Sequence, residues 1–124
     1  MEFDGEFDIV PCLQNGLSAI KGAPENLVRR SVRTLTPGGR ACFSTCSARF
    51  WEHRLAWFRE QSEKGLLGNI DDERTKDGRI VCKDGFTATT FTSQDLEILG
   101  RASGCPWRIE EVDAFSLFLI LRKP

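Results

Sequence analysis

Side chains capable of chemistry are sparse in this chain of 124 residues, and most fall in its middle third. The cysteines number five, Cys12, Cys42, Cys46, Cys82 and Cys105. Cys42 and Cys46 are separated by three residues rather than the two of common zinc and redox pairs. With a single histidine, a structural zinc site lacks ligands, and the thiols read as reduced packing residues. That histidine, His53, is the one side chain whose ordinary pKa lies near neutrality, so it is the candidate general base. Ser44-Thr45-Cys46-Ser47 gathers hydroxyls that could contact a substrate, with Ser47 also placed to cap a helix. Asp71-Asp72-Glu73 lacks the alternating spacing of a calcium loop and reads as a solvated segment, so no metal is expected.

The elements that must position these groups follow from periodicity. Phe7 to Val10 is a short apolar stretch that Pro11 should end, because proline cannot donate to a ladder. Pro24 suits a first helical position, and Leu27, Val28, Val32 and Leu35 follow at helical spacing with Arg29, Arg30 and Arg33 turned away. Pro37-Gly38 predicts a type II turn into a strand from Arg40 to Ser47.

A helix is predicted over residues 48 to 64, stopped by Gly65. Phe50, Trp51, Leu55, Trp57 and Phe58 share one arc of it, and His53 falls on the polar side. Arg54 and Gln61 break the apolar arc. An arginine there needs a partner, from Asp71, Asp72 or Glu73 or from a carboxylate-bearing substrate.

Two Asp-Gly signals, Asp77-Gly78 and Asp84-Gly85, predict a small antiparallel meander over residues 70 to 91. Thr92 and Asp95 form a capping box for a helix from Ser93 to Ala102, ended by Gly104. Two closing strands follow, over residues 107 to 113 and 115 to 121, joined tightly enough to be antiparallel. The last is apolar at consecutive positions, which predicts an interior strand with both faces covered. The whole predicts one α/β domain over residues 1 to 124, its largely parallel sheet of about four main strands flanked by helices.

Seventeen basic and eighteen acidic residues leave a formal net charge of -1, so no whole-chain field implies nucleic acid or an anionic membrane. The acidic first twenty residues do not read as a secretory signal, and no apolar run could span a bilayer; a cytoplasmic location is expected.

Phe7-Asp8-Ile9-Val10-Pro11, a helix, Leu35-Thr36-Pro37-Gly38-Gly39-Arg40 entering a strand, then a helix and a strand pair closing on Phe118 to Pro124 together resemble the carboxyl-terminal half of a class I S-adenosylmethionine-dependent methyltransferase. The resemblance covers nearly the whole chain. It implies a Rossmann-like sheet of seven strands in the family, of which the fourth to seventh are represented here and the last is inserted antiparallel beside the fifth. It also implies adenosylmethionine as cofactor, although the sequence holds no G-x-G and the glycine-rich half is not represented.

Ligands of open α/β sheets lie outside the carboxyl ends of the strands. By resemblance, Cys12, Leu13, Gln14 and Asn15 would then lie near the cofactor; Ser44 and Thr45, at the same edge, and Arg54 and Gln61, which break the apolar arc, are the candidate substrate contacts. The expected activity is methyl transfer to a small molecule, with this chain inactive alone. The alternative is an interaction module, dimeric or bound to a partner chain through the exposed edge of its first strand.

Overall fold

The computed structural model describes residues 3–13, 16–19 and 22–124. Strand β1 (Phe7–Cys12) leads through the short helix α1 (Gly16–Ala19) to α2 (Pro24–Thr34) and the long strand β2 (Leu35–Cys46). A 3-10 turn (Ala48–Phe50) opens α3 (Trp51–Glu63), and a hairpin of β3 (Arg79–Val81) and β4 (Thr87–Thr89) follows. Helix α4 (Ser93–Ala102), β5 (Trp107–Val112) and β6 (Ser116–Arg122) close the chain.

The main sheet has the order β1-β2-β6-β5. β1 and β2 are parallel, while β6 is inserted between β2 and β5 and runs antiparallel to both. This is the mixed, four-stranded α/β sheet expected from the residues, with the closing strand inside it.

Its boundaries differ from expectation in two places. β1 continues through Pro11, which pairs opposite Cys42, because an edge strand can leave one side of its backbone unpaired. β2 begins at Leu35 rather than Arg40, and the expected turn survives as a bulge: two steps along β1, from Phe7 to Ile9, match five along β2, from Leu35 to Arg40. Gly38 supplies the positive φ of 83°. A Cβ on Gly39 would stand 2.9 Å from the Thr36 carbonyl and 3.1 Å from that of Asp8, so both glycines of the pair are needed.

One face of the sheet carries the core. Ala41 and Phe43 of β2 and Leu117, Leu119 and Leu121 of β6 meet Leu17 of α1, Val28 of α2 and Leu96 and Leu99 of α4. Helix α2 also buries Ser31 and Thr34, the Thr34 hydroxyl donating to the Ser31 carbonyl at 2.7 Å. Helix α4 has both bonds of its capping box, Thr92 Oγ1 accepting from Asp95 N and Asp95 Oδ2 from Thr92 N. Gly100 lets the helix close on β5: an added Cβ would lie 2.6 Å from Trp107 Cγ. The other face corrects the expectation of a strand covered on both sides. Phe118 and Ile120 are only half-buried, because α1, α2 and α4 all pack on the opposite face.

Candidate functional site

The parallel strands β1 and β2 end on the same side of the sheet. Cys12 pairs with Phe43, so β2 continues past it through Ser44, Thr45 and Cys46. Burial pushes the Cys12 thiol up, which keeps it protonated, and its Sγ lies 2.8 Å from where a Cβ on Gly16 would stand. A side chain at position 16 would have to displace that thiol. Leu13 is exposed, and Gln14 and Asn15 lie outside the described residues.

Ser44 and Thr45, the hydroxyls expected to contact a substrate, point to opposite faces, since side chains alternate along a strand. Both are buried, and the Thr45 hydroxyl finds no hydrogen-bond partner among the described residues. Ser47 is the expected cap, its Oγ accepting from Arg49 N at 3.3 Å. Its own N–H donates to the Phe115 carbonyl at 2.7 Å, tying the start of α3 to the start of β6. Phe115 then turns outward and stacks on Phe50, ring centroids 4.1 Å apart.

Arg54 is the one buried residue of α3 among those described. Its Nη1 donates to Thr90 Oγ1 at 2.8 Å, and its guanidinium sits 5.7 Å from the Phe58 ring centroid. Burial pushes its pKa down, and the nearby Cys46 thiol pushes it back up. Two of the three carboxylates expected near it are engaged elsewhere: Asp72 pairs with Arg59 at 2.7 Å, and Asp71 accepts from Arg74 N at 3.3 Å. Thr90, just past β4, supplies a hydroxyl.

The same inward face of α3 carries Gln61, half-buried and two turns beyond Arg54. Helix and meander are joined further by Phe58 and Phe86, ring centroids 6.2 Å apart, and by Ser62 Oγ donating to the Gly68 carbonyl at 2.9 Å. In the tight turn before β3, where Lys76 and Arg79 bridge, Asp77 and Gly78 both have positive φ, as a two-residue loop of that kind requires. His53 is exposed, with its ring 5.9 Å from that of Phe50.

The structure thus brings Arg54, Cys46, Phe58 and Thr90 together at the end of β2 and leaves His53 exposed. Thr90 could not be found from spacing, since it lies 36 residues from Arg54 with no periodicity linking them. Its neighbours Thr89 and Phe91 line a cleft of about 380 Å³ with Leu17, Glu25, Asp95 and Leu99. That volume lies within the range of small-molecule sites.

The architecture is that of a class I methyltransferase-like fold. No protein-family model matches the sequence, and no curated protein matches it. Solved structures do. A SAM-dependent methyltransferase from Methanosarcina mazei is 18% identical with a TM-score of 0.62, the match covering 98% of this chain and 61% of that one. The 1,6-didemethyltoxoflavin-N1-methyltransferase of Burkholderia thailandensis, solved with 1,6-didemethyltoxoflavin and S-adenosylhomocysteine, is 16% identical with a TM-score of 0.65, covering 99% and 46%. An amino pentose methyltransferase from Micromonospora echinaspora, solved with SAM bound, is 15% identical with a TM-score of 0.53, covering 99% and 61%. The likeness is one of fold, and this chain spans 46% to 61% of their lengths.

The described residues do not by themselves fit adenosylmethionine. A Rossmann-like cradle needs glycines directly after a parallel strand. Here the positive-φ glycines are Gly5, Gly22, Gly38, Gly65, Gly78, Gly85 and Gly104, and none directly follows Cys12 or Cys46. The end of β1 offers a protonated thiol and an exposed leucine.

Proposed function

We propose that this chain is the acceptor side of a SAM-dependent methyltransferase that acts on a small molecule, and that it is inactive without a complementary glycine-rich half. The carrying observation is the insertion of β6 antiparallel between β2 and β5, with α3, which follows β2, tied to Thr90 beside the meander by Arg54. In this reading the lobe of α3 and the meander forms a wall of the acceptor site, and Arg54 and Gln61 meet the substrate. Cys12 and Leu13 border the methyl donor. Methyl transfer from a sulfonium depends on alignment, so His53 is not required as a base unless the acceptor must lose a proton. The free cysteines suit a reducing cytoplasm, and no helix among the described residues is long and apolar enough to cross a membrane.

Calorimetric titration of the chain with adenosylmethionine tests this reading. No heat of tight binding is expected from the chain alone, and stoichiometric binding would overturn the need for a second half.

A second reading, pairing through the edge of β1 with another copy or a partner strand, is favoured by the position of β1 at the border of the sheet and by Ile9, 67% exposed. Sedimentation showing only monomer at micromolar concentration would count against the homodimer.

A further inference from the structure

The face of the main sheet opposite α1, α2 and α4 is built unlike a solvent face. Opposed residues in the ladder place Cys42 beside Ile120 and Ser44 beside Phe118, with Pro11 of β1 next to Cys42. Ile120 and Phe118 are half-buried, and of the residues on this face only Ser44 is fully buried. Glu110 of β5 stands on the same face opposite Phe118, and basic charge gathers at one end. Arg40 lies directly opposite Arg122, and Arg108 lies opposite Ile120 one step along. Among the described residues neither Arg40 nor Arg122 is paired with a carboxylate, while Arg108 reaches Glu110 at 3.2 Å. Like charges directly opposed across an antiparallel pair, about 5 Å apart, repel one another. The arginines border a groove of about 210 Å³ with Pro106 and Ile120.

We propose that this face docks an amphipathic helix, acidic at the end that meets Arg40, Arg108 and Arg122, belonging to the complementary half of the fold. In α/β folds helices cover both faces of a sheet whose strands run mostly one way, as β1, β2 and β5 do here, and among the described residues every core helix lies on one face. The related folds are longer than this chain by enough to supply the second layer, since it spans 46% to 61% of them. An apolar helix stripe fits the strip from Pro11 across Cys42 to Ile120 and Phe118. Carboxylates at one end relieve the repulsion between Arg40 and Arg122. An apolar strip of this kind does not suit a sugar-phosphate backbone, which would leave Ile120 and Phe118 uncovered.

The proposal rests on the completion reading above, and its test is separate from that of adenosylmethionine binding. The probe is a fluorescein-labelled helical peptide of about 18 residues, roughly 27 Å long, with leucines at helical spacing on one face and three glutamates in its first turns. Its twin carries lysines in their place. Fluorescence anisotropy with the whole chain is expected to show the acidic peptide binding at least about tenfold tighter than the twin, with the difference shrinking as salt is raised. The double variant Arg40→Glu/Arg122→Glu is expected to invert that preference, and Ile120→Asp to weaken both peptides. Arg40 and Arg122 are exposed, and Arg40→Gln/Arg122→Gln, which should abolish the preference, serves if charge reversal prevents folding. Equal binding of the two peptides, binding of neither, or a preference unchanged in the arginine variants would overturn the proposal. So would a dimer of the parent chain that Ile120→Asp dissociates, since the occupant would then be a second copy.

Discussion

Helices α2 and α4 meet the sheet with Val28, Leu96 and Leu99, against Phe43, Leu119 and Leu121, whereas α3 turns Arg54 inward and meets a meander through a hydroxyl, an aromatic pair and a carbonyl. The first region is held by removal of apolar surface from water, which is roughly proportional to area and tolerant of small shifts. The second depends on directional contacts, each effective only at its own geometry. The meander has its own small interior, with Ile80, Val81, Cys82 and Ala88 buried outside the main cluster. The difference assigns roles: the sheet supplies a rigid ledge, and the lobe above the end of β2 is the part whose shape a few side chains decide.

The contrast can be broken most severely at the ledge. Phe43 is fully buried at the centre of the cluster, so Phe43→Ala should cost about 3–5 kcal/mol from lost transfer energy and the cavity left behind. Urea denaturation followed by circular dichroism should show one transition moved to lower denaturant; a lobe transition that stayed in place would mean that the two regions unfold independently.

A smaller and more local effect is expected in the lobe. Arg54→Ala removes a hydrogen bond from a charged donor and the contact with Phe58, a loss of about 1.5–3 kcal/mol. Hydrogen exchange should quicken over residues 51–63 and 79–90 and stay unchanged in β2 and β6. Equal quickening in the sheet would show that the lobe is an extension of the core.

The smallest effect should appear at the far end of the sheet, where Asp4 accepts two bonds from Arg33, at 2.6 and 3.0 Å. That hydrogen bond, followed by the charge of Arg33, holds the Asp4 carboxyl below the usual range. Its folded pKa is therefore below its unfolded one. The contribution is present above the unfolded value and is lost as pH falls through the folded value. Thermal melts of the parent and Arg33→Gln should converge on acidification, and a gap that persisted in acid would assign the difference to packing of the arginine stem.

Several features could be read from residue order because their causes are local. The capping box at Thr92 and Asp95, the Asp77-Gly78 turn and the stop at Gly65 each depend on groups a few residues apart. The interior position of β6 was legible from its unbroken apolar run. The outward turn of Phe115 was not, because its stacking on Phe50 joins residues far apart in the chain. At the candidate site, the conflict of Arg54 with its apolar arc was a true signal of burial. Which group would meet it was not legible: Asp72 pairs with Arg59, and folding brings Thr90, distant in the chain, into reach.

Composition, periodicity and turn residues determined the order of elements and the mixed sheet, since each follows from backbone geometry and the need to bury one stripe of a helix or one face of a strand. Tertiary structure alone decided that Ser44 and Thr45 are both buried, that Arg54 rests on Thr90, and that α1, α2 and α4 all share one face. Those outcomes depend on strand register and on the side to which each connection returns, and no short window of residues encodes either.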